Sequence, residues 1–306
     1  MIRVVVDADQ MIYSCGFATE GEPLSHALNL VKKKLSEIQT KCKADSLTVY
    51  IGGKGNYRDD VAFTKTYKGT RLSRKPAHYE DIREYLIDVW DAVKTDGIET
   101  DDVVSILLYE DYKANDGIPE ECEVICASPD KDLNNTPGWH YNYQKDRLYW
   151  VSDVQADRHF AYQMLTGDKV DNIPGLPYCT PSIIEEFGLS RAAKRGCGEG
   201  SAKKIMAQVR GEDPLYVVYR CYASWALAEG AEKYYHEYVT EQGQLLWMLR
   251  EKDDFGQYIH WFPRASSIAD AYDEQKEKEY GPTDDRASTE RVSKLNAGVD
   301  DVHEGC

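Results

Sequence analysis

Short apolar runs and helical stripes alternate along the first half of the chain. Residues 2–6 form a β-branched run closed by Asp7. That pattern predicts a strand buried on both faces and ending in a carboxylate. Leu24, Ala27, Leu28, Val31, Leu35 and Ile38 then recur at helical spacing, and residues 47–51 supply a second strand, completing a β-helix-β unit. Pro76 suits the first turn of a helix whose apolar stripe is Ile82, Tyr85, Leu86, Val89, Trp90 and Val93. A further helix is predicted over 99–112 and a strand over 124–127, with small strands at 141–143 and 148–151 and a helix over 153–165. Beyond Gly167 the strand signals fade, and helices dominate to about Arg250. No internal repeat of roughly 20 to 50 residues is visible.

Alternating strands and helices followed by helices alone predict an α/β fold: a mainly parallel central sheet flanked by helices, with a helical extension. The expected boundaries are 1–172 for the α/β domain and 173–264 for the helical region. Residues 265–306 are expected to be an acidic, disordered tail, because apolar residues there are few and without period. At 306 residues and 42% hydrophobic, the chain can bury one large core or two modest ones. No apolar run approaches the roughly 20 residues that span a bilayer, and acids interrupt the N-terminal run. No membrane is therefore expected. Eight cysteines without a CxxC pair suggest neither a zinc site nor a disulfide framework, and a reducing cytosol is the simplest setting.

The net charge of −16 taken whole argues against a nucleic-acid partner. Its distribution reverses that inference. The tail carries −6, whereas residues 54–75 hold seven bases against two acids and residues 191–210 hold six against one. Two patches of +5 thus stand in an acidic chain.

Four separated motifs carry paired acids: Asp7-Ala8-Asp9, Glu99-Thr100-Asp101-Asp102, Asp130-Lys131-Asp132 and Asp168-Lys169-Val170-Asp171. Any one alone fits a solvated loop, a capped turn or acids complementing a helix dipole. Two of them, however, end predicted strands and a third opens a helix feeding the same sheet edge, where open α/β sheets place their sites. So many gathered carboxylates repel one another unless cations neutralise them. Hard oxygen donors suit Mg²⁺ or Mn²⁺, and a pair of ions about 4 Å apart would activate a water and stabilise the leaving oxygen of a phosphodiester. Lys68 and Arg71, in a loop after the second strand, could reach such a phosphate, with Arg74 and Lys75 adding anion binding. Tyr67 beside Lys68 could stack on a splayed base. The seven histidines form no HxH or HxxxH cluster, so a histidine metal site is disfavoured.

The order and spacing of VVVDAD (4–9), YKGTR with RKP (67–76), ETDDVVS (99–105), SPDKDL (128–133) and TGDKVDNIPGL (166–176) resemble the flap endonuclease superfamily of structure-specific 5′ nucleases. The likeness runs over residues 1–264. It is strongest to the 5′-to-3′ exonucleases of short-tailed bacteriophages and more distant to the 5′-nuclease domain of bacterial DNA polymerase I. It implies a PIN-like fold, a first metal held or supported by Asp7, Glu99, Asp101, Asp130 and Asp132 with Asp102 nearby, and a second held by Asp168 and Asp171. Asp9 has no acidic counterpart in most of the superfamily but looks shared with the short-tailed phage branch. Lys68 and Arg71 fall where relatives contact the scissile phosphate. One departure stands out: relatives carry a further aspartate after the second strand, where this chain reads Gly52-Gly53; Asp59 or Asp60 could compensate from the loop, though nothing in the spacing requires it.

Residues 196–205 resemble the helix-hairpin-helix by which such nucleases grip duplex DNA. Gly198 and Gly200 precede a helix that Ser201 could cap, Lys203 and Lys204 follow, and the resemblance allows a K⁺ ion there. Here residues 178–195 intervene before the glycines, unlike in relatives. The implied activity is 5′-to-3′ DNA exonuclease with flap or RNase H-type cleavage, on duplex DNA with a 5′ end, a 5′ flap or an RNA–DNA hybrid. Its setting would be phage DNA replication or recombination, or host DNA degradation, in the cytoplasm of an infected bacterium. The rivals are a PIN-type endoribonuclease and a DNA-binding relative without active metals.

Overall fold

The N-terminal β-branched run becomes β1 (Arg3–Asp7), the strand from which a six-stranded sheet extends in both directions in a computed structural model. The structure describes residues 1–70, 74–190, 196–211 and 213–281. Strand order is β3-β2-β1-β4-β5-β6, formed with β2 (Ser46–Gly52), β3 (Val93–Thr95), β4 (Val124–Ala127), β5 (Gly138–Asn142) and β6 (Arg147–Val151). All neighbours are parallel except β5 and β6, so the expected mainly parallel sheet flanked by helices is what forms.

The alternation within β1 explains its place. Val4 and Val6 face one layer and Val5 the other, and all three are fully buried. Burial of each valine contributes roughly 1.5–3 kcal/mol. On the first face lie α1 (Asp9–Ala18), α2 (Leu24–Lys41) and α4 (Tyr79–Trp90), presenting Met11, Ile12, Val31, Leu35, Ile82 and Leu86. On the second lies α5 (Thr100–Ala114), with Val104 and Leu108 against Val5, Val124 and Cys126. The short α3 (Tyr57–Val61) precedes the basic loop.

The helical region contains α7 (Pro181–Glu186), α8 (Glu199–Gln208), α9 (Pro214–Glu229) and α10 (Tyr235–Leu246). Its apolar core also takes Phe160, Ala161, Met164 and Leu165 from α6 (Asp153–Thr166). α6 therefore joins the two halves rather than ending the first.

Two expectations change. Val93 starts β3 instead of continuing the stripe of α4, because Asp91 adopts a left-handed φ of 51° that ends the helix. Residues 265–280, expected in a disordered tail, form α11 (Ala265–Tyr280) packed along α9. Ile268 and Ala271 bury a small apolar face, while Gln275 and Glu279 find polar partners in Ser182 and Ser224. A face so narrow is lost in an acidic background. Residues 282–306 of that expected tail lie outside the described residues. Among the described residues no helix is long and apolar enough to cross a membrane.

Candidate functional site

The sheet reverses direction at β1: one crossover leads to β2 and β3, and the chain then returns to add β4 on the other side. The carboxyl ends of β1 and β4 flank that switch point, where open α/β sheets bind ligands. Asp7 closes β1, and the turn after β4 carries Ser128, Asp130 and Asp132. A cavity of about 280 Å³ opens there, lined by Asp101, Asp130, Asp132, Asp168 and Asp171 together with Lys68, Lys131, Gln10 and Gln163.

Hydrogen bonds orient Asp7, Asp130, Asp132 and Asp168. Asp7 is buried, accepting from the Asp9 amide (3.1 Å) and Ser128 Oγ (3.0 Å). Asp130 accepts from Gln10 Nε2 and from the Asp132 amide, both at 2.9 Å, and Asp132 from Gln163 Nε2 (2.9 Å). Asp168 Oδ1 takes the amides of Val170 (2.6 Å) and Asp171 (3.0 Å), closing the turn that follows Gly167. Lys68 is ion-paired with Glu99 and lies 3.9 Å from Asp171 Oδ2.

Burial, with Asp9 and Asp130 nearby, pushes Asp7 up to about 7. Burial likewise pushes Asp132 up to about 7, helped by Asp130 and Asp168. Asp101 is also raised, by burial and by Glu99 and Asp102. Glu99 goes the other way: burial opposes its charge, but Arg58 and Lys68 hold it below the ordinary range. The side chains share the cavity without converging, since among the described residues no group of three or more His, Cys, Asp or Glu could hold a metal ion as it stands.

No family model matches this chain. It is 30% identical over 109 residues to DNA polymerase I of Rhizobium leguminosarum, covering 31% of this chain and a tenth of that one's length. The T5 5′-exonuclease with zinc ions bound is 16% identical, with 81% of this chain and 100% of that chain covered at a TM-score of 0.46. The catalytic core of Rad2 in complex with DNA substrate is 10% identical, with 95% and 92% covered at a TM-score of 0.43. The chain is similar to each of these proteins over the stretches stated.

Not every expected ligand reaches the cavity. Asp102 is fully buried and spends both oxygens on Arg58 (2.6 and 2.9 Å), Oδ1 also taking the Leu249 amide (3.0 Å). It is a structural anion. Asp9 accepts from the Gly52 amide (2.9 Å) and Thr100 Oγ1 (2.8 Å), tying β2 to α5. Asp9, Asp59 and Glu99 border a neighbouring cavity of about 260 Å³, from which Tyr67 and Lys68 separate the first.

The nucleic-acid residues also divide. Tyr67, expected to stack on a base, is buried, and its hydroxyl donates toward Glu99 (2.7 Å) and Asp171 (3.0 Å). Arg74 pairs with Glu20 and Lys75 with Glu80, so local acids neutralise that exposed end of the basic patch. Arg71 lies outside the described residues. Gly198, not Ser201, is the N-cap of α8; Ser201 sits inside the first turn, with its amide bonded to the Gly198 carbonyl (2.9 Å). Gly200 is exposed beside it, Lys203 pairs with Glu199 (3.5 Å), and Lys204 is exposed. A groove of about 630 Å³ runs from Asp168 past Lys65, Lys169 and Asn172 to Gly196 and Gly198, so it adjoins the carboxylate cavity at Asp168.

Arg58, Gln10, Gln163 and Ser128 were not legible as site residues. Their neighbours are distant in sequence, and only a polar residue adjoining an acidic motif, as Gln10 and Ser128 do, could have drawn attention.

Proposed function

We propose that this chain is a divalent-cation-dependent 5′-to-3′ nuclease of the flap endonuclease superfamily, hydrolysing phosphodiester bonds in DNA near 5′ ends. One observation carries the reading: five aspartates from three separate stretches, Asp101, Asp130 with Asp132, and Asp168 with Asp171, line one cavity with Lys68. The order of the motifs and the likeness to DNA polymerase I support it.

The donors fit the ions the reading needs. All are hard oxygens, and the mutual repulsion felt by Asp132 is what a cation would relieve. Bound there, two Mg²⁺ or Mn²⁺ ions supply Lewis acidity and neutralise charge on the leaving oxygen. The protein does the rest. Gln10, Gln163 and Ser128 hold Asp130, Asp132 and Asp7 in orientation, and the paired amides of Val170 and Asp171 hold Asp168. Lys68, drawn in by Glu99, offers positive charge to the scissile phosphate. Arg71 is its partner in this reading.

In the same reading DNA leaves the cavity along the groove at Asp168, and the first turn of α8 with Lys203 and Lys204 meets duplex phosphates. A K⁺ ion near Gly198, activity on 5′ flaps and RNA–DNA hybrids, and a phage replication role in the host cytoplasm belong to the proposal. The test is digestion of 5′- and 3′-labelled duplex, flap, RNA–DNA hybrid and RNA substrates with Mg²⁺, Mn²⁺ or EDTA. Cleavage of DNA from the 5′ end, abolished by EDTA, is expected; cleavage of single-stranded RNA alone, or none, would overturn the reading.

A further inference from the structure

Among the described residues Arg58 is the largest fully buried side chain, and it lines the carboxylate cavity. Its backbone is placed by Asn56, whose Oδ1 accepts the Arg58 amide (3.0 Å) at the start of α3. A guanidinium has five N–H donors in a fixed fork. All five are used here. Nε donates to Leu245 O (3.0 Å), one terminal nitrogen to Asp102 Oδ2 (2.6 Å) and Glu99 Oε2 (3.3 Å), and the other to Asp102 Oδ1 (2.9 Å) and Trp247 O (2.7 Å).

These partners belong to two halves of the molecule. Leu245 and Trp247 lie at the end of α10, where carbonyls lack helical partners and the dipole favours a cation. Glu99 and Asp102 cap the start of α5, the Glu99 amide donating to Asp102 Oδ2 (3.3 Å). Asp101, which lines the cavity, stands between them. A buried cation satisfied this fully has one geometry, because any displacement strands several donors at once.

We infer that Arg58 is a positioning residue: it locks the first turn of α5 against the end of α10 and so fixes where Asp101 stands for divalent-cation binding. The inference rests on the nuclease reading above, but its readout does not need cleavage. Arg58 acts through Glu99 and Asp102 and touches no substrate.

The experiment compares the parent protein with Arg58→Lys, Asp102→Asn and the double variant. Lysine keeps the charge but has three donors in place of five, so folding survives more readily than with a neutral residue. Mn²⁺ affinity is measured by calorimetry on each, alongside a thermal melt. The expected result is a loss of Mn²⁺ affinity on the order of 10–100-fold in Arg58→Lys. Asp102→Asn should give a similar loss, and the double variant no more than either alone. On a DNA substrate, kcat should fall in Arg58→Lys with KM little changed. A folded Arg58→Lys protein that binds Mn²⁺ as the parent does, with cleavage intact, would overturn this inference alone. A parent protein that binds no Mn²⁺ would overturn it together with the nuclease reading.

Discussion

Gly53 has no side chain because Asp96 and the Thr95 carbonyl occupy the space into which one would project. A Cβ built on Gly53 would meet Asp96 Oδ1 and would lie 2.5 Å from Thr95 O. The pairing is close because the Gly53 amide donates to Thr95 O (2.8 Å) and the Lys54 amide to Asp96 (2.8 Å), locking the ends of β2 and β3 together. Gly53→Ala is therefore expected to cost about 1–3 kcal/mol through overpacking. Gly53→Asp should be worse still, since a second acid would face Asp96. Urea denaturation of both variants checks this; a Gly53→Asp protein as stable as the parent would show that the corner can open.

Loss of a proposed ligand should separate binding from chemistry. Asp130→Ala and Asp168→Ala are each expected to lower cleavage of a 5′-labelled duplex by at least about 100-fold, more than outer partners of a metal site usually cost. DNA affinity in a mobility-shift assay should stay near the parent's. Full activity in both variants would remove the metal assignment.

Lys68 adopts a left-handed φ of 52°, its amide donating to Asp171 O (2.9 Å), and its ammonium is ion-paired with Glu99. Lys68→Ala is expected to lower kcat on the order of 10²–10³-fold, as loss of one charge-stabilising donor does elsewhere. Binding of DNA should weaken little. An unchanged kcat would leave Lys68 as a structural bridge only.

Two histidines, His140 buried and His159 half-buried, make stability depend on acid. Burial pushes His140 from 6.5 down to about 4, despite its bond to Thr136 O (2.9 Å), and burial pushes His159 down to about 4 as well. Between those values the unfolded chain binds protons that the folded chain does not. Their contribution is complete above pH 6.5 and is lost as pH falls toward 4, at up to about 1.4 kcal/mol per pH unit for each. The carboxylates raised by burial titrate in the opposite sense, so the readout is a difference: the stability advantage of the parent over His140→Asn should shrink through that window. A constant advantage would contradict the assignment.

Ile268 on α11 is buried against the core shared with α9. Ile268→Ala is expected to cost about 2–4 kcal/mol in a denaturant titration. A cost near zero would mean that α11 does not contribute to the stability of the fold.

Much of the fold was legible because its signals are local. Short apolar runs marked β1, β2 and β4, and a helical stripe marked α2, since neighbours within a turn or along a strand decide those patterns. The acids at the strand ends and at the start of α5 followed from the same local order. β3 was missed because three residues carry no period, and α11 because its apolar face is two residues wide among acids.

The sequence by itself determined a parallel sheet with acids at its carboxyl edge. Only the tertiary structure decided how those acids are used. Asp101, Asp130, Asp132, Asp168 and Asp171 share one cavity, while Asp102 is consumed by Arg58, Asp9 by Gly52 and Thr100, and Tyr67 is turned inward to Glu99 and Asp171. Arg74 and Lys75, equal to Lys68 in charge, are neutralised by Glu20 and Glu80. The reason is physical: composition assigns every carboxylate the same charge, but burial and the partner brought up by packing decide which charges remain available to a ligand.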